Sequence, residues 1–208
     1  MMNVNSIRII RIGFFSAVFA TAMMGCGGSG GGSKQSGGAA QPVSSAAEVA
    51  SSNFFNVKQA TIVYRHTVGN QQITVVFDDY GAKMRIEGGY AMYIFDEKAG
   101  TAFECNVLSK TYKPTTIAAC HVERRIFKMA ATDRDAERGG LTVSKETIAG
   151  KECSVHTLAR GATHTSTGGW NGIVFLTTMD GSDVMRAISF SETAAADFLK
   201  IPEGYTKE

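Results

Sequence analysis

The chain has 208 residues, with 21 basic and 19 acidic side chains for a net charge of +2. Arg8 and Arg11 are the basic residues of the first 25 positions, and without them the counts are 19 and 19. A chain this close to neutral lacks the clustered basic face that a nucleic-acid partner requires.

The first 25 residues form a leader rather than part of a fold. Arg8 and Arg11 supply a short positive region, and Ile12 to Met24 follow as an uncharged apolar run. At roughly 13 residues this run is shorter than the ~20 needed to span a bilayer, so it targets rather than anchors. The junction Met23-Met24-Gly25-Cys26 resembles the lipobox of bacterial lipoprotein precursors, with Met23 and Met24 departing mildly from its usual first positions. That resemblance implies cleavage before Cys26 and acylation of its thiol and then of its freed amine. Two or three acyl chains, at about 0.8 kcal/mol per buried CH₂, give stable anchoring where one is marginal. Gly27 after the cysteine lacks the acidic retention signal known for the inner membrane, so the resemblance favours the outer membrane, with the domain facing the periplasm or the cell surface.

Residues 27–52 are rich in Gly, Ser, Ala and Gln and have no aromatic side chain. They bury too little to offset their ordering entropy, and the composition predicts a flexible tether. The expected organisation is therefore a signal peptide over 1–25, a lipidated cysteine and tether over 26–52, and one folded domain over 53–208.

Within that domain, Ala60, Ile62 and Tyr64 alternate with Thr61, Val63 and Arg65, and after Gly69-Asn70 the residues Ile73, Val75 and Phe77 alternate again. Further strands are expected over Lys83 to Glu87, Tyr90 to Phe95, Thr101 to Val107 and Thr111 to Ile117, as an antiparallel meander. Val122, Ile126 and Met129 have helical spacing between Ala118 and Arg138, closed by Gly139-Gly140, and predict one helix. Strand patterning returns at Leu141 to Ile148, Glu152 to Ala159, Trp170 to Met179 and Asp183 to Ser191, with a short helix over Thr193 to Lys200. The expected fold is mainly β with minor α: a strongly curved antiparallel sheet or half-open barrel of about ten strands, covered by one or two helices.

Three stretches look like a family of bacterial lipoproteins of unknown function that is thought to be related to the LolA and LolB lipoprotein carriers. They are Val76 to Glu87, Thr147 to Cys153 and Phe198 to Tyr205, and the resemblance runs in order from Asn53 to the end of the chain. It implies a LolA-like half-barrel, partly plugged by helices, whose hollow face can hold acyl chains or another apolar ligand.

Chemistry-bearing residues are sparse. An exported protein sits in an oxidising compartment, so one disulfide among Cys105, Cys120 and Cys153 is expected. Cys120 opens the predicted helix and Cys153 a strand, which favours Cys120 with Cys153 and leaves Cys105 as a buried hydrophobe. Cys120-His121 with Cys153 and His156 is a poor zinc set, because the odd offset from Cys153 to His156 puts them on opposite strand faces. His66, His121, His156 and His164 accompany no nucleophile elbow, and Asp78-Asp79 and Asp133-x-Asp135 do not extend into a calcium loop. No metal, cofactor or catalytic set is expected. Ile73, Val75, Phe77, Met84, Ile86, Met92, Ile94, Phe175 and Met185 are the candidate lining of an apolar concavity, against the plainer alternative that they are core. The expected protein is thus a membrane-anchored, non-catalytic binding module for an apolar ligand or acyl chain; the alternative is a structural envelope lipoprotein with a packed core and a protein partner.

Overall fold

The period-two patterning becomes two meanders. The computed structural model describes residues 53–208, so Cys26, the leader and the tether lie outside the described residues. Strands β1 (Ala60–His66), β2 (Gln71–Asp78), β3 (Lys83–Gly88), β4 (Ala91–Asp96), β5 (Thr101–Asn106) and β6 (Thr111–Pro114) pair antiparallel in chain order. Strands β7 (Thr142–Ile148), β8 (Lys151–Arg160), β9 (Thr163–Trp170), β10 (Ile173–Met179) and β11 (Ser182–Ser191) do the same. Pairing of β11 with β1 joins the meanders, and β12 (Thr206–Lys207) adds in parallel to β6. The result is one open, curved sheet of 12 strands whose edges, β12 and β7, do not pair with each other. Its curl brings Glu146 of β7 to within 2.8 Å of Arg186 of β11, although three strands separate them in sheet order.

The expectation of ten strands missed β9 and β12. β9 reads Thr-His-Thr-Ser-Thr-Gly-Gly-Trp and lacks the aliphatic alternation that marks a strand; it is held by neighbours on both sides. The predicted single strand over Trp170 to Met179 is split by Asn171-Gly172, both at positive φ (49° and 80°), the conformation of a tight two-residue hairpin turn.

The single helix expected over Ala118 to Arg138 is three pieces: α1 (Ile117–Arg124), a 3₁₀ turn (Arg125–Phe127) and α2 (Asp133–Arg138). Thr116 caps α1 by accepting from the Ala119 N–H at 3.1 Å, and Thr132 starts α2 anew by accepting from Asp135 at 3.3 Å. Between them Phe127 is driven fully into the core beside Tyr64, with ring centroids 5.4 Å apart. The helix expected over Thr193 to Lys200 is also absent; this segment forms turns, and Leu199 and Ile201 at its end pack against the sheet.

Candidate functional site

Seven of the nine candidate lining residues meet in one interior. Ile73, Val75, Phe77, Met84, Ile86, Phe175 and Met185 belong to the main buried cluster with Ala60, Ile62 and Tyr64 of β1. Met92 and Ile94 do not join it. Met84 pairs with Phe95 and Ile86 with Tyr93, so on β4 the side chains that share a face with β3's apolar pair are Tyr93 and Phe95. A phase error of one residue sends Met92 and Ile94 to the reverse side. There they form a second cluster with Cys105, covered by Leu199, Ile201 and Tyr205.

The interior is occupied by protein. All nine residues are buried, Phe55 stacks on Phe77 at 4.5 Å, and Tyr64 donates its hydroxyl proton to the Val174 carbonyl at 2.8 Å. Burial pushes the Tyr64 phenol well above its ordinary pKa. A cavity of about 150 Å³ opens beside Tyr64, Arg65, Asn70, Gln71, Gln72 and Ile188. It is below the ~300–1,000 Å³ of small-molecule pockets, is lined mostly by polar residues, and touches none of the nine.

The densest polar cluster fastens α2 to the second meander. Asp133, the first residue of α2, accepts from His156 Nε2 at 2.9 Å through one oxygen; through the other it accepts from Lys145 Nζ at 3.0 Å and Ser154 Oγ at 2.8 Å. Lys145 also donates to Ser154 at 2.5 Å. Hydrogen bonds from His156 first, then from Lys145 and Ser154, hold the Asp133 carboxyl down at about 2. A nucleophilic serine needs a partner free to take its proton. Here the Ser154 proton points to a carboxylate, Lys145 is spent as a donor, and His156 bonds Asp133 instead, so the geometry is that of a latch. Sequence reasoning treats Asp133 and His156 separately, as parts of rejected metal sets, and misses that they pair, because a separation of 23 positions carries no signal of contact.

A second cluster, also unread in the sequence, centres on Arg124, which is 6% exposed. Its guanidinium donates to the Gly81 carbonyl and to Glu97, both at 2.8 Å, and lies 3.9 Å over the Phe54 ring and 5.6 Å from that of Phe95. His121 Nε2 contacts the same Glu97 oxygen at 2.5 Å. His121 and His156 thus have separate carboxylate partners, and among the described residues no group of three or more metal-ligating side chains comes together.

Cys105, Cys120 and Cys153 are all free and buried, so the expected Cys120–Cys153 bridge is not formed. Cys120 on α1, near Glu104 and Glu123, and Cys153 on β8, near Glu146 and Lys145, both belong to the main buried cluster, and Cys105 to the smaller one. Burial pushes both thiols up to about 11 and raises that of Cys105, which makes them poor nucleophiles.

No protein-family profile and no curated protein matches the chain. Among solved structures, an uncharacterized conserved protein from Thermus thermophilus aligns at 8% identity over 73% of this chain and 90% of that one, with a TM-score of 0.47. PNGF-II aligns at 13% identity over 73% of this chain and 31% of that one, with a TM-score of 0.43. Both are distant likenesses.

Proposed function

We propose that this chain is a non-catalytic lipoprotein of the bacterial cell envelope, acylated at Cys26 and held on the outer membrane, whose folded domain meets a protein partner. In this reading the domain is a variant of the LolA and LolB half-barrel in which the hollow is filled by the chain itself. The observation that carries it is the interior: seven of the nine residues expected to line a lipid-receiving face are packed with one another and with Phe127 in one buried cluster. The clusters at Asp133 and Arg124 support it, since both spend their polar groups on fixing helices to the sheet.

The test is photo-crosslinking in the native envelope from positions 90 and 108. Tyr90 and Leu108, 56% and 71% exposed, lie on neighbouring turns, where the Val107 N–H donates to the Tyr90 carbonyl. A discrete protein adduct is expected. Adducts to lipid alone, together with acyl chains recovered from the purified protein, would replace this reading with that of a lipid carrier.

A further inference from the structure

We propose that the end of the domain bearing Asn53 docks on the anionic phospholipid surface of the membrane that holds the tether. The proposal rests on the Cys26 anchoring above. The chain enters the domain at one end of the sheet: the Phe55 N–H donates to Tyr80 in the β2–β3 turn, and the Asn56 N–H to Asn171 in the β9–β10 turn. Most carboxylates at this end are committed; Glu152, exposed at the start of β8 across from the β9–β10 turn, forms no ion pair among the described residues. Asp79 holds Lys98 at 2.6 Å, Asp96 holds Lys83 at 3.9 Å, Glu97 holds Arg124, and Asp78 accepts from the Asp79 backbone N–H. Glu123 of α1 is half-buried and feels Glu104.

Three cations stand where the chain enters the domain. Lys58, Arg125 and Lys128 are exposed and form no ion pair among the described residues. Lys128 lies 4.6 Å over the Phe54 ring, directly beside Asn53, and donates its backbone N–H to the Arg125 carbonyl. Lys58 accepts through its carbonyl from Tyr80, in the turn that also binds Phe55. Val122 of α1, 58% exposed and three residues before Arg125, adds an apolar contact. Only residues 27–52 separate Cys26 from this end of the domain, so a bilayer that holds Cys26 meets this surface at high effective concentration. Each cation near an anionic surface contributes about fivefold to partitioning, and the effect decays within a Debye length of ~8–10 Å.

The acylated full chain is reconstituted into vesicles of phosphatidylcholine, with or without about a third phosphatidylglycerol. A fluorophore is attached at Thr101→Cys, the exposed first residue of β5 after the β4–β5 turn, or at Leu108→Cys at the far end; the buried native thiols leave the new one selectively labelled. Spin-labelled headgroup lipid reports proximity. The Thr101→Cys probe should be quenched severalfold more than the Leu108→Cys probe in anionic vesicles, and the difference should vanish in neutral vesicles, at high salt, and in Lys58→Glu/Arg125→Glu, which removes two exposed charges that form no ion pair among the described residues. Equal quenching of the two probes by an acylated chain would overturn docking alone. A chain found by mass spectrometry to carry no acyl group at Cys26 would overturn the anchoring and the docking with it. A Thr101→Cys probe shielded in native envelopes but not quenched in vesicles would overturn the lipid in favour of a protein.

Discussion

Arg124 and Asp133 show how single polar residues position the helical segment. Arg124 is a buried cation whose planar head is matched by Glu97, the Gly81 carbonyl and the Phe54 ring, while its Nε is left without a hydrogen-bond partner. Removing one partner of such a pair strands the other, so Arg124→Ala is expected to cost about 3 kcal/mol in urea unfolding. Arg124→Lys should recover less than half, because an ammonium cannot stack and fork at once. Asp133 makes a pH-dependent prediction. Its folded pKa of about 2 lies below the ~3.9 of an unfolded aspartate. The folded state therefore binds the proton less well, and the stabilisation is full above about pH 4 and lost as pH falls from there towards 2. With the Asp133 side chain 42% exposed the increment is small. Urea midpoints of the wild type and Asp133→Asn should converge over that window; a constant gap would contradict the latch. Neither residue was legible in the sequence as a partner of anything, since both sets of contacts are made by chain folding back over long separations.

At the scale of elements, the strands with apolar alternation were readable and those defined by their neighbours were not. β1, β2 and β3 follow the sequence pattern within a few residues, because alternate side chains of each are buried in the main cluster and period two is then enforced. β9 has no such pattern, and its place is fixed by close approach: a Cβ at Gly169 would run into the Ile173 carbonyl and the Met129 side chain. Gly169→Ala is therefore expected to destabilise by about 1–3 kcal/mol, measured as a lowered melting temperature with an unchanged far-ultraviolet spectrum. The Asn171-Gly172 turn was the available signal for β9, a dipeptide that favours two-residue hairpins and that the run of apolar residues around it obscured. The C-terminal segment behaves as a cover. Leu199, Ile201 and Tyr205 close the reverse face over Met92, Ile94 and Cys105, so Tyr205→Ala should make Cys105 the first thiol to react with a disulfide reagent under native conditions. In the wild type all three described thiols should react only on unfolding, and earlier reaction of Cys120 or Cys153 would contradict their burial.

For the whole molecule, the mainly-β class and the sheet with helical cover were in the sequence, whereas the filling of its interior was not. Periodicity tells which side chains turn inward and cannot tell whether they meet a void or each other; that was decided by Phe127, delivered between two short helices where one continuous helix was expected. Phe127→Ala should open a cavity there at a cost of about 3–5 kcal/mol, which makes it the variant most able to acquire an apolar ligand. With these side chains packed together, the wild-type interior leaves no room for an acyl chain. Titration of the protein with a fluorescent fatty acid tests it most directly. The expected result is no saturable signal from the wild type, and stoichiometric binding that unlabelled fatty acid displaces would contradict it.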